Sequence, residues 1–141
     1  MDQYDVIIIG GGPNGLACGH RFLNKMPSKK VLILEKNKIV NSLRQYPDVL
    51  WHSTMNDLKL PSYLNNSIED EYSPTSSELV EYYEHVAKEH NLNILEDHEV
   101  IDIRRSDSKH LTYDIYTKHD NKTLKFNSKI IILSTGIYRN T

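Results

Sequence analysis

Residues 6–19 read VIIIGGGPNGLACG. Four β-branched residues run straight into three consecutive glycines, and Gly15 and Gly19 follow. A short, continuous β-branched run suits a buried parallel strand, predicted here over Tyr4–Ile9. Glycine is the residue that loses most freedom on ordering, so five of them placed here imply that something needs close access to the main chain. Gly10, Gly12 and Gly15 fit the pattern G-x-G-x-x-G, directly after a strand and at the start of a helix. In that pattern the first glycine permits a tight turn, the second lets a pyrophosphate approach the backbone, and the third lets helix and strand pack closely. Phosphates placed there meet free N–H groups and the positive end of the helix dipole.

The helix is predicted over Gly15–Met26, with Leu16, Leu23 and Met26 at helical spacing, and Pro27 and Ser28 end it. Gly19, one turn beyond Gly15, extends the close contact between helix and sheet. Lys30–Glu35 (KVLILE) reads as a second buried strand. The result is a β-α-β unit with a right-handed crossover. Glu35 falls twenty residues after Gly15, at the end of that strand. A carboxylate there accepts hydrogen bonds from ribose hydroxyls and repels a 2′-phosphate, which disfavours NADP at this site. A rival reading makes the glycines a structural turn and Glu35 a solvated strand end. Strand, glycines, helix, strand and acid in the expected order favour a dinucleotide.

Further along, Tyr46-Pro47-Asp48, Leu60-Pro61-Ser62 and Tyr72-Ser73-Pro74 mark turns in an irregular stretch. Thr75-Ser76-Ser77-Glu78 has the spacing of a capping box. It opens a helix predicted to run to about Asn91, with Leu79, Tyr83, Val86 and His90 on one side. LNILED (92–97) reads as a short third strand. Glu99–Arg104, His110–Lys118 and Thr123–Asn127 alternate between polar and apolar residues, and Leu111, Tyr113, Ile115 and Thr117 share one face. Turns at Ser106-Asp107-Ser108 and Asp120-Asn121-Lys122 separate them, which predicts an antiparallel meander. Lys129–Leu133 returns to an apolar strand that ends at Ser134-Thr135-Gly136. The expected fold class is α/β: a Rossmann-like parallel sheet with an antiparallel three-stranded β-meander inserted in a crossover.

The bulk properties narrow the function. With 141 residues, a net charge of −2 and 26% charged residues, the chain carries no basic excess for nucleic acid and no basic amphipathic stretch for a membrane surface. Its longest apolar runs, Val6–Ile9 and Ile130–Leu133, are far too short to cross a bilayer. The acidic start Met1–Asp5 lacks a signal-peptide pattern, and the single cysteine, Cys18, excludes an internal disulfide; a cytoplasmic location is expected. Cys18, inside the first helix, suits a small buried thiol better than a redox group. Among seven histidines, His85 and His90 are five apart, not the four that would stack two ligands on one helix face, and no metal site is expected.

Three stretches, DVIIIGGGPNGLACG (5–19), VLILEK (31–36) and KIIILSTG (129–136), resemble the two-dinucleotide-binding-domain flavoproteins. That group includes thioredoxin-reductase-like and flavin-monooxygenase-like enzymes. PTSSELVEYYEHVAKEHNLNI (74–94) is similar to a helix-and-strand segment of bacillithiol-disulfide-reductase-like and monooxygenase-like members. The resemblance implies FAD at the first site. Gly10, Gly12, Pro13, Asn14 and Gly15 would surround its pyrophosphate. Glu35 would bind the ribose of the AMP half, with Lys36 alongside. Val100 would meet the adenine through its main chain, and Thr135 and Gly136 would close over the cofactor. YPDVLWHST (46–54) is similar to the segment that approaches the flavin ring in the monooxygenase-like branch. That makes Trp51, His52, Ser53 and Thr54 candidates for lining it, although Trp51 suits a buried loop anchor equally well.

Two departures from the family pattern stand out. Many relatives carry a glycine pair shortly after the ribose acid, where this chain reads NKIVNSLRQ (37–45). Relatives also continue beyond the STG turn into an NAD(P)H-binding domain and a closing segment of the FAD domain, whereas residues 1–141 contain no second G-x-G-x-x-G. The expectation is therefore a single, incomplete FAD-binding domain over 1–141. It would be the FAD-binding portion of an NAD(P)H-dependent flavin oxidoreductase or monooxygenase-like enzyme, not competent alone and with no catalytic side chain of its own. A complementary domain or subunit, or self-association through an open apolar edge, would complete it. The alternatives are a non-catalytic nucleotide-binding or assembly module and a plain NAD-binding domain.

Overall fold

A computed structural model describes residues 3–60, 69–106 and 110–136. Its elements are β1 (Gln3–Ile9), α1 (Pro13–Lys25), β2 (Val31–Leu34), α2 (Asn41–Gln45), α3 (Met55–Leu58), α4 (Ser76–Glu89), β3 (Ile94–Leu95), β4 (Glu99–Arg105), β5 (Tyr113–His119) and β6 (Lys122–Leu133). The strands form one six-stranded sheet in the order β3-β2-β1-β6-β5-β4. β3, β2, β1 and the second half of β6 are parallel, while β4, β5 and the first half of β6 are antiparallel. This is the expected Rossmann-like α/β class.

One detail differs from the sequence reading. Thr123–Asn127 and Lys129–Leu133 are not separate strands but parts of the twelve-residue β6. Its start pairs with β5, from Lys122 opposite His119 to Ser128 opposite Tyr113, and its end pairs with β1, up to Leu133 opposite Ile9. The polar residues Asn127, Ser128 and Lys129 include no glycine or proline, so nothing forces the extended backbone to break. In the other ladder, the register of β4 on β5 shifts between Val100 and Asp102, leaving Ile101 as a bulge.

The two faces of β1 explain its unbroken apolar run. Val6 and Ile8 join Leu16 of α1, Val31 and Ile33 of β2, and Leu79, Tyr82, Tyr83 and Val86 of α4 in one core. Ile7 and Ile9 join Leu32, Leu34 and Ile115 of β5 in a second, with Val100, Tyr113 and Phe126 packed against it. Helices cover one face and the meander the other, so both sets of side chains are buried.

α1 starts two residues earlier than the spacing suggested, because Pro13 is suited to the first helical position. Met26 lies beyond its end and is 40% exposed. The capping box of α4 is present: the Thr75 hydroxyl accepts from the Glu78 N–H at 3.2 Å, and the Glu78 carboxylate accepts from the Thr75 N–H at 3.0 Å. His90 follows the last turn of α4 and is exposed, whereas Leu79, Tyr83 and Val86 are buried as expected. Leu111 precedes β5 and is exposed. Pro61, Ser62, Asp107 and Ser108, assigned above to turns, lie outside the described residues.

The irregular stretch is tied to the start of α4. Leu50 bridges Thr75, the Trp51 N–H donates to the Pro74 carbonyl at 2.9 Å, and the Met55 N–H to that of Tyr72 at 2.9 Å. Met55 and Leu60 drop into the first core, and the Leu60 N–H donates to the Tyr82 hydroxyl at 2.8 Å.

Candidate functional site

The glycine loop, Glu35 and the Ser134-Thr135-Gly136 turn sit together at the carboxyl ends of β1, β2 and β6, the end at which open parallel sheets hold ligands. Three glycines there answer to the fold. Gly10 has φ +113°, and a Cβ on it would collide with the Ser134 carbonyl. A Cβ on Gly15 would collide with the Gly10 carbonyl oxygen, and one on Gly19 would lie 2.8 Å from Cδ1 of Ile33. The contacts of Gly15 and Gly19 bring α1 down onto the sheet, and that of Gly10 sets the loop against the end of β6.

Gly12 answers to nothing in the chain. Its φ of −78° is open to any residue, and a Cβ there would meet no atom within 4 Å. Gly12 is also the N-cap of α1, so no side chain satisfies the first N–H groups of that helix. The loop therefore presents bare main-chain donors to an open space.

Glu35 is buried and turned onto this loop. One carboxylate oxygen accepts from the Gly11 N–H at 2.8 Å and the other from the Asn37 N–H at 2.6 Å. A carboxylate offers about four lone-pair directions, so two remain for hydroxyl donors. The Glu35 main chain is held as well, its N–H on the Leu95 carbonyl and its carbonyl on the His98 N–H. That second bond brings the start of β4, with half-buried Val100, up beside Glu35. Lys36 is exposed and lies 3.8 Å from the Glu99 carboxylate.

The structure thus gathers Gly10, Gly12, Pro13, Asn14, Gly15 and Glu35, with Thr135 beside Gly10 and Gly136 next to it at φ +77°. Asn14, Thr135 and Gly136 are exposed. Trp51 is an anchor: its indole N–H donates to the Ser76 hydroxyl at 3.1 Å, it packs against the first core, and its ring meets that of Tyr46 edge-on. His52 and Ser53 are exposed on the same loop. Sequence reasoning missed Gly11, whose N–H meets Glu35 and whose carbonyl accepts from the Val40 N–H at 2.8 Å. It missed Val40 too, because nothing in a β-branched residue signals its left-handed backbone, φ +49°.

Among the described residues, no helix is long and apolar enough to cross a membrane, and no three His, Cys, Asp or Glu side chains gather to hold a metal ion.

Solved structures with this fold include bacillithiol disulfide reductases. The enzyme from Staphylococcus aureus is 26% identical, with a TM-score of 0.80 over 96% of this chain and 39% of its own. That from Bacillus cereus is 23% identical, with a TM-score of 0.84 over 96% and 40%. An ornithine N-hydroxylase from Kutzneria sp. 744, solved with reduced FAD, NADP+ and L-ornithine, is 17% identical, with a TM-score of 0.79 over 96% and 38%. The chain therefore spans about two-fifths of the length of these proteins. No curated protein sequence matches it. With residues 7–141 matching the family model, this chain belongs to the pyridine nucleotide-disulphide oxidoreductase family.

Proposed function

We propose that this chain is the FAD-binding portion of an NAD(P)H-dependent flavin oxidoreductase. The observation that carries the reading is Gly12: the fold makes no use of its missing side chain, whereas a diphosphate would. The N–H groups at the head of α1 hold that diphosphate, aided by the helix dipole. The free lone pairs of Glu35 accept from the ribose hydroxyls. Main-chain groups at Val100 meet the adenine, Lys36 flanks the ribose, and Thr135 and Gly136 close the site beside Gly10. Trp51 holds the 46–54 loop so that His52 and Ser53 face the flavin end. FAD, when bound, supplies the hydride-accepting ring; no side chain within 1–141 acts as acid, base or nucleophile.

The substrate, and the NAD(P)H that would supply the hydride, meet this domain through a complementary domain or subunit. Ile130 and Leu133 on β6, 51% and 70% exposed, lie on opposite faces of a strand half that pairs with β1 but runs beyond its pairing with β5, and they support an open apolar edge for a partner to cover. A cytoplasmic setting accords with NAD(P)H as reductant.

The test is FAD titration, followed by flavin fluorescence, of the wild type and Gly12→Val. The wild type is expected to bind, and the variant to fold and lose binding because its side chain fills the phosphate space. A folded Gly12→Val that binds FAD as the wild type does would sink the assignment.

A further inference from the structure

Val40 is a β-branched residue, fully buried in the first core, yet its backbone is left-handed at φ +49° and ψ +39°. L-residues with branched side chains rarely adopt that conformation, so the surroundings must hold it. They do so on both sides. The preceding Ile39 gives its N–H to the Glu96 carboxylate at 2.8 Å and takes the Arg44 side-chain N–H on its carbonyl at 2.9 Å. The Val40 carbonyl accepts from the Leu43 N–H at 3.0 Å. What the unusual backbone achieves is the hydrogen bond from the Val40 N–H to the Gly11 carbonyl, at 2.8 Å.

That bond fixes a second group. The described peptide bonds are trans, and in a trans peptide the C=O and N–H point in opposite directions. The carbonyl of the Gly11–Gly12 unit faces Val40, so its N–H, on Gly12, faces away. The Gly10–Gly11 unit is fixed in the same manner, its N–H on Glu35 and its carbonyl against Gly15. Of the two units, one spends its donor on Glu35 and the other turns its donor, the Gly12 N–H, away from Val40, at a residue whose Cβ position is also open.

We infer that Val40 is a positioning residue for the diphosphate: its N–H holds the Gly11 carbonyl so that the Gly12 N–H points at the ligand. This rests on the dinucleotide reading above. Val40 itself touches no phosphate; its main chain sets the loop, and its buried side chain locks that main chain in place.

The experiment compares ADP with adenosine, which lacks the phosphates, on the wild type, Val40→Gly and Val40→Pro. Glycine keeps the N–H and tolerates the left-handed backbone; proline removes the N–H and bars that backbone. Val40→Gly is expected to melt at a lower temperature but to hold ADP within about threefold of the wild type. Val40→Pro is expected to lose about tenfold or more in ADP affinity, as one charge-assisted donor would, while adenosine binding is unchanged. A purely structural role would lower both ligands together, or neither. Hydrogen exchange at the Val40 amide covers the case in which the proline variant does not fold. That amide is expected to exchange slowly in the free wild type and more slowly with ADP. An amide that exchanges freely with ADP bound would overturn the inference, as would full ADP affinity in a folded Val40→Pro or its loss in a folded Val40→Gly. Failure of the wild type to bind ADP or FAD would instead remove the dinucleotide reading, and this inference with it.

Discussion

Helices α1 and α4 are close in length, thirteen and fourteen residues, and begin in opposite ways. α4 closes its own N-terminus. Thr75 and Glu78 exchange side-chain hydrogen bonds with each other's main chain, and Asp48 accepts from the Ser77 N–H at 3.1 Å. α1 begins at a glycine with no side chain to offer and leaves its first donors bare. A helix start without protein partners normally turns to water or a ligand. Here the bare start sits beside a buried carboxylate at the carboxyl end of a parallel sheet, where a ligand has reason to bind. The start of α4 is satisfied within the chain, whereas that of α1 is left open for the ligand proposed above.

The largest expected effect separates two duties within α1, packing on the sheet and holding that ligand. Gly15→Val drives a side chain into the Gly10 carbonyl, main chain that cannot move aside, and should cost about 3 kcal/mol or more in urea unfolding. Gly12→Val should cost no more than about 1 kcal/mol, the usual difference between glycine and an apolar residue at an N-cap. Equal losses at the two positions would mean that Gly12 also serves packing, and the contrast between the helices would weaken.

Glu35 comes next, because it belongs to both duties. Glu35→Gln keeps the shape but swaps an acceptor for an NH2 group that faces a main-chain donor. Leaving one such buried donor unmet costs about 1 to 3 kcal/mol. Thermal melts should show that loss, and FAD affinity should drop as well. Were stability to fall while affinity held, the carboxylate would be a loop brace and not a ribose ligand.

How legible all this was depends on the range of the interactions. The unit from β1 to β2 is written in local terms, with β-branched runs, glycines at fixed offsets and a proline at the helix start, so its boundaries were recovered within two or three residues. The capping box of α4 is equally local. Sequence reasoning failed where the determinant lies elsewhere in the chain. The continuity of β6 depends on β1 and β5 offering partners along its whole length. Val40 is left-handed only because Glu96, Arg44 and Gly11 hold the backbone on either side. For Trp51 the sequence allows flavin lining and anchor alike; the bond to Ser76 that ties it down comes from a residue twenty-five positions away and is invisible in the local pattern.

A smaller effect is expected at the closed helix. Thr75→Ala removes the acceptor for the Glu78 N–H and should lower stability by about 1 kcal/mol with FAD affinity unchanged. Loss of FAD binding on that change would show that the start of α4, through Leu50 and Trp51, also supports the site.

The smallest effect lies where the two helices touch. His20 on α1 is buried, and its ring meets that of His90, just past the end of α4, edge-on at a centroid distance of 4.3 Å. Burial, and secondarily the neighbouring imidazole of His90, push the His20 pKa below its ordinary value of 6.5. The folded state therefore binds a proton less readily than the unfolded state. The stability tied to His20 is complete above about pH 6.5 and declines as pH falls from there toward the folded-state pKa. Melting temperatures should drop more between pH 7.5 and about pH 5.5 in the wild type than in His20→Gln, which keeps a polar side chain but cannot take up the proton. Parallel pH profiles for the two proteins would show that protonation of His20 does not separate α1 from α4.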